Sequence, residues 1–157
     1  MTKTVGGLRF TSELEARHRA VLEELLFFNP NQSLYRDAVV EAIERFGEPR
    51  IEEHDGRLRI GTTRLGQVQT LFALELAPDG DRPIGVAVYF RTEVDTMTLI
   101  QVVVHPDFAA DGPFAEELVT IRLVQEISRA AARIKAIRRV VMPYGTRSLV
   151  TIAKPAR

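Results

Sequence analysis

Apolar residues first recur at helical spacing over residues 13–28. Leu14, Val21, Leu22, Leu25 and Leu26 form one stripe, with Glu13, Arg17, Glu23 and Glu24 outside it. Ser12 and Glu15 stand at capping-box spacing, where each side chain satisfies a free backbone N–H at the other's end, so the pattern predicts a helix starting there. Asn29-Pro30-Asn31-Gln32 stops it. Ser33 suits the N-cap of a second helix over 34–46, with Leu34, Ala38, Val39, Ala42, Ile43 and Phe46 inward. Gly47 then stands where a left-handed C-cap is wanted, and Pro49 prevents resumption.

Beyond Pro49 the period drops to two. Residues 50–54 and 57–61 flank Asp55-Gly56, a hairpin signal because both central residues of the favoured turn need positive φ. Residues 67–76 alternate, 77–82 turn, and 83–91 carry Ile84, Val86, Val88 and Phe90 on one side. A turn over 92–95 leads to a third long strand, 96–104. Its stretch 99–104 is apolar on both faces apart from Gln101, which places it in the sheet interior. Gln101 is expected to be a hydrogen-bonded lining residue, since buried amides need partners.

A polar loop, 105–112, leads into the longest predicted helix, 113–134, with Pro113 in its first turn and Leu118, Ile121, Val124, Ala131 and Ile134 on its buried face. Residues 137–142 read as a strand. Residues 149–153 read as a last strand that adds an edge or pairs with a second subunit. The order predicts the α+β class: one domain over 1–157, with a mixed, largely antiparallel sheet flanked by helices.

Composition narrows the chemistry. The 157 residues are 45% hydrophobic and 27% charged, a globular balance. Lys+Arg and Asp+Glu both number 21, so no net charge draws the chain to nucleic acid or an anionic membrane. The absence of cysteine excludes disulfides, thiolate metal sites and a cysteine nucleophile. No apolar run has signal-peptide or bilayer-spanning length, which makes a cytoplasmic location the default. His18, His54 and His105 are far apart, so no metal site is expected. Arg129, Arg133, Lys135, Arg138 and Arg139 cluster at a helix end, where cations complement the dipole and nucleic acid is not implied.

The phrase Leu99-Ile-Gln-Val-Val-Val-His-Pro-Asp-Phe108, followed by a short loop and Leu118 on a helix, is similar to the central signature of the GNAT acetyltransferases. There, a strand ending in Val-x-Pro-x-aromatic runs into a glycine-bearing loop and a helix. Two helices and a strand meander precede it, so the resemblance spans roughly residues 10–144. It implies a GNAT-like domain and, as cofactor, acetyl-CoA. The backbone of Val102 and Val104 would align the pantetheine arm, and Tyr144 would protonate the departing thiolate. The family's Gln/Arg-x-x-Gly-x-Gly/Ala loop, whose N–H groups hold pyrophosphate at a helix N-terminus, falls on Ala109, Gly112 and Phe114.

Of those three, Gly112 alone matches. Ala109 brings no side-chain donor, Phe114 puts a ring where backbone meets phosphate, and Pro113 removes an N–H. Asp107, Asp111, Glu116 and Glu117 crowd the loop, with no Lys or Arg between Thr92 and Ile121, which repels a multiply charged anion. The strand over 97–104 holds no carboxylate to act as general base. After Tyr144 only 145–157 remain for the further helix and two strands usual in the family. The residues therefore favour a divergent, non-catalytic GNAT-like module that binds a small ligand or a protein partner, with a homodimer through the last strand as one form. The alternative is an acetyl-CoA-dependent N-acyltransferase in which a substrate amine attacks the thioester directly.

Overall fold

A computed structural model of the chain describes residues 7–29, 36–109, 111–141 and 149–151. In chain order the elements are strands β1 (Leu8–Thr11) and β2 (Leu14–Glu15), helices α1 (Arg19–Phe27) and α2 (Arg36–Phe46), strands β3 (Pro49–His54), β4 (Arg57–Thr62), β5 (Gly66–Gln67), β6 (Gln69–Glu75), β7 (Arg82–Glu93) and β8 (Thr96–Val104), helix α3 (Val119–Ala132), and strands β9 (Arg139–Val141) and β10 (Leu149–Thr151). Six strands form the main sheet in the order β1-β6-β7-β8-β9-β10. A smaller sheet, β2-β4-β3 with β5 on β4, stands beside it. The main sheet is antiparallel except where β9 runs parallel to β8, and α3 is the crossover between those two strands. This is the mixed, largely antiparallel α+β arrangement that the sequence predicts.

Both faces of the sheet are covered, which gives two apolar cores. Val86 and Val88 of β7 and Phe72 and Leu74 of β6 face α1, α2 and the small sheet, meeting Leu22, Leu25, Leu26, Leu58 and Ile60. Ala87 of β7 and Met97 and Leu99 of β8 face α3, meeting Val119, Leu123, Ile127 and Ala131. Gly85 sets the separation on the α3 side, because a Cβ there would stand 3.2 Å from Val119 and 3.3 Å from Leu123. Strands β7 and β8 are thus buried from both sides, as the apolar run over 99–104 requires. The hairpin at Asp55-Gly56 takes φ values of 52° and 75°, the double positive its sequence calls for. Gly47 closes α2 at φ 92°, its N–H donating to Ile43 O at 2.8 Å.

Two expected helices are shorter than their apolar stripes suggest. The first begins at Arg19, not near residue 13, because the segment before it is recruited by sheets. β1 pairs with β6, and Leu14 pairs with Leu58 across β2 and β4, with both side chains buried. Ser12 and Glu15 form no capping box: Glu15 lies in β2 and its carboxylate takes Arg17 at 2.8 Å. The Thr11 hydroxyl instead bonds locally with Glu13, donating to its carbonyl at 3.1 Å.

The third helix begins at Val119, and Pro113 lies outside it. Phe114 N–H donates back to Asp107 O at 2.8 Å, and a 3-10 turn over Ala115–Glu117 follows. Leu118, at φ 52°, then breaks the helical path. The buried face is accordingly Val119, Leu123, Ile127 and Ala131; of the expected stripe only Ala131 is fully buried. Leu118 and Ile121 are 52% and 51% exposed, Ile134 is also exposed, and Val124 is half-buried. Among the described residues no helix is long and apolar enough to cross a membrane.

Two measurements check this packing. Leu123→Ala should cost about 2–5 kcal/mol of unfolding free energy, as buried leucines do, while Ile121→Ala should stay within about 0.5 kcal/mol; denaturant melts read both, and equal costs would refute the assigned face. His18 is buried just before α1, and burial first, then Arg17, pushes its pKa below the ordinary 6.5. The unfolded chain therefore binds a proton there before the folded one does, so stability falls as pH drops below about 6.5. Glu13 and Glu15, whose pKa values are lowered by hydrogen bonds from Arg59 and Arg17, act only below 4.5. Melting scans between pH 7 and 5 should lose that slope in His18→Gln.

Candidate functional site

The loop between β8 and α3 is where the sequence sets Ala109, Gly112 and Phe114, and its backbone is folded onto itself. The N–H of Phe108 donates to His105 O at 2.8 Å and that of Ala109 to Pro106 O at 3.2 Å. Gly112 donates to Ala109 O at 2.9 Å, Phe114 to Asp107 O at 2.8 Å and Ala115 to Gly112 O at 3.2 Å. Asp107 N–H donates to His105 Nδ1 at 3.1 Å. These are the donors a phosphate cradle would need free. Phe114 stacks on Phe108 with ring centroids 5.1 Å apart, sealing the lower end of the α3 core. Gly112 has its own local reason to be glycine: a Cβ there would fall well inside contact distance of the Pro106 carbonyl oxygen and stand 2.5 Å from that of Asp107.

Val102 and Val104 lie at the C-terminal end of β8. The parallel pairing covers Thr96, Met97 and Thr98 against Arg139, Val140 and Val141, and no register pair follows it among the described residues. His105 N–H donates to Ile84 O of β7 at 2.7 Å, so the Val104 carbonyl, on the same peptide, points the other way. Asn29, at the end of α1, occupies that carbonyl with its side-chain amide at 2.8 Å. The hollow between α1 and His105–Pro106 also carries Glu23 and Glu24 on its wall, adding negative charge to that of Asp107. The nearest cation on α3, Arg122, is engaged by Glu117 at 3.6 Å and by the ring of Phe10 at 5.7 Å. Tyr144 lies outside the described residues. The last strand, Leu149–Thr151, is an edge strand on β9 of the same chain.

The other face of β8 carries a different feature. Val88 pairs with Gln101 and Tyr89 with Leu99, so Ile100 is an extra residue, a β-bulge in the middle of a central strand. A bulge sets two successive side chains against one on the partner strand. Here Ile100 and Gln101 both face the α1–α2 side, and with Val88 they floor a cavity of about 220 Å³. Leu26, Ala42 and Ile43 form its helical walls, and Glu48 and Pro49 lie on its rim. The Thr62 hydroxyl reaches this wall already committed, donating to Phe46 O at 2.6 Å and accepting from Leu65 N–H at 2.9 Å.

Gln101 is not committed. The residue is 7% exposed, yet among the described residues no group hydrogen-bonds its amide. The expectation of a lining residue holds, and that of a protein partner does not. One strand further along the same row, Thr70 pairs with Val88, and its buried hydroxyl is likewise without a partner. An unpaired buried polar group costs about 1–3 kcal/mol, so the Thr70 hydroxyl departs from ordinary core construction, whereas the Gln101 amide, which lines the cavity, is not fully enclosed.

No three His, Asp or Glu side chains gather into a metal-ligand set among the described residues. Of the residues that carry this site, Gln101 was visible in the sequence as the sole polar side chain of its run. The cavity was not, since its walls come from α1, α2 and the turn at Gly47, and the bulge leaves no mark on the apolar pattern. Compared with known proteins, the chain matches no family model, no curated sequence and no solved structure.

Gly112→Ala tests the loop. It should destabilise the protein by about 1–3 kcal/mol through overpacking against the Pro106 and Asp107 carbonyls, in the absence of any ligand. An unchanged melting temperature would mean that the loop is open enough to receive one.

Proposed function

We propose that this protein is a non-catalytic small-molecule-binding module on a GNAT-like frame, and that the cavity over the β8 bulge is its ligand site. The observation that carries the reading is the uncommitted Gln101 amide in a largely apolar cavity. That is the usual composition of a binding pocket: apolar walls with a few placed polar groups. The element order supports the frame, since two helices and a meander of strands precede β8, its loop and α3, as the resemblance implies. Fold-level likeness argues architecture and not activity.

The alternative, acetyl-CoA-dependent N-acyl transfer, draws its support from the likeness of the phrase over residues 99–108 to the family's central signature. Against it stand the internally bonded loop of Ala109, Gly112 and Phe114, the Asn29 amide on Val104 and the carboxylates around them. A pyrophosphate entering there would have to break several backbone hydrogen bonds and meet like charge.

Thermal-shift titration separates the two readings. A site filled at 100 times its dissociation constant stabilises the fold by about 2.7 kcal/mol, which is several degrees for a domain of this size. Toluene, as an apolar probe of the cavity, should raise the melting temperature, and acetyl-CoA at millimolar concentration should leave it unchanged. A clear rise with acetyl-CoA would establish the acyltransferase reading in its place.

A further inference from the structure

Resting on that reading, the chemistry of the cavity narrows its ligand. The floor offers one amide, which carries both an N–H₂ donor and a carbonyl acceptor. A hydroxyl or ketone answers one of these, whereas a carboxamide answers both at once, giving its N–H to Gln101 Oε1 and accepting from Nε2. No cation lines the cavity among the described residues, and the charged side chain at its rim is Glu48. A carboxylate entering head-first would lose its hydration, gain no counter-charge and leave Gln101 Oε1 facing an anion. The walls are mainly aliphatic, with Phe27 and Thr62 among them, and 220 Å³ is somewhat larger than the engineered apolar cavity of about 150 Å³ known to admit benzene. The space thus suits one ring or a short branched chain with a compact head group.

We infer that the cavity over the β8 bulge selects a small apolar molecule bearing a neutral carboxamide, which pairs with the Gln101 amide. The bulge is the device that makes this possible: without the extra residue at Ile100, strict alternation would set Ile100 and Gln101 on opposite faces of the sheet.

Three aromatic probes, benzamide, benzoate and toluene, test the inference by calorimetric titration of the intact protein. Benzamide should bind at least about tenfold more tightly than toluene, a modest demand for two hydrogen bonds in a dry site, and benzoate should bind more weakly than both. Gln101→Leu, close in volume, should abolish the preference by weakening benzamide while toluene binds as before, and retained toluene binding also reports an intact fold. Gln101→Met serves in the same way should the leucine variant fail to fold. Equal affinity for benzamide and toluene, or a preference that survives in the Gln101 variants, overturns the carboxamide assignment and leaves the cavity reading standing. Failure of all three probes to bind the wild-type protein, with Ala42→Phe indistinguishable from it, overturns the cavity reading itself.

Discussion

Burial of the β7–β8 pair from both sides is the constraint on which the rest of the molecule depends. A sheet with one wet face can alternate apolar and polar residues. A sheet covered on both faces must be apolar throughout, and its covers must supply apolar surface in turn. Helix α3 covers one face through Val119, Leu123, Ile127 and Ala131, brought close by Gly85. Helices α1 and α2 and the small sheet cover the other through Leu22, Leu25, Leu26 and Ile60. Each layer buries the stripe that the next one leaves open, while β1 and β10, from the two ends of the chain, form the edges of the sheet.

Against that background a polar group on β8 carries information that the same group on a surface strand would not. The bulge at Ile100 sets Gln101 into the α1–α2 side, where α2 and the turn at Gly47 leave space unfilled. Apolar surroundings strengthen any hydrogen bond the amide makes and raise the cost of leaving it unmade. A polar group that must give up its contact with water when an apolar molecule enters is what discriminates between ligands. The loop before α3 shows the opposite economy: the N–H groups of Phe108, Ala109, Gly112 and Phe114 are bonded to its own carbonyls, its glycine is tight against its own backbone, and its aromatic rings close a core.

Much of the architecture is legible in the apolar pattern. The doubly buried run over 99–104, the Asp55-Gly56 hairpin and the Gly47 cap each depend on local chemistry with one good solution. The elements that escaped were decided by distant partners. Leu14 fits a helical stripe as well as a strand, and Leu58 settles it as a strand. The stripe Leu118, Ile121, Val124 is as regular as Val119, Leu123, Ile127, and the tether from Phe114 to Asp107 together with the left-handed Leu118 selects the second. The cavity escaped for the same reason, since no single segment encodes it. Gln101 stood out as an exception in its strand, but only the bulge determines which face it serves.

The central claim is that ligand contact is made at Gln101 and not at the loop before α3, and an amide-resolved nuclear magnetic resonance titration tests it most directly. On adding benzamide, the side-chain N–H₂ of Gln101 and the backbone amides of Val88 and Ile100 should move in the ¹H–¹⁵N spectrum. Those of Ala109, Gly112 and Phe114 should stay in place with benzamide and with acetyl-CoA alike. Movement of the Ala109, Gly112 and Phe114 amides on adding acetyl-CoA, with Gln101 unmoved by benzamide, would contradict the account.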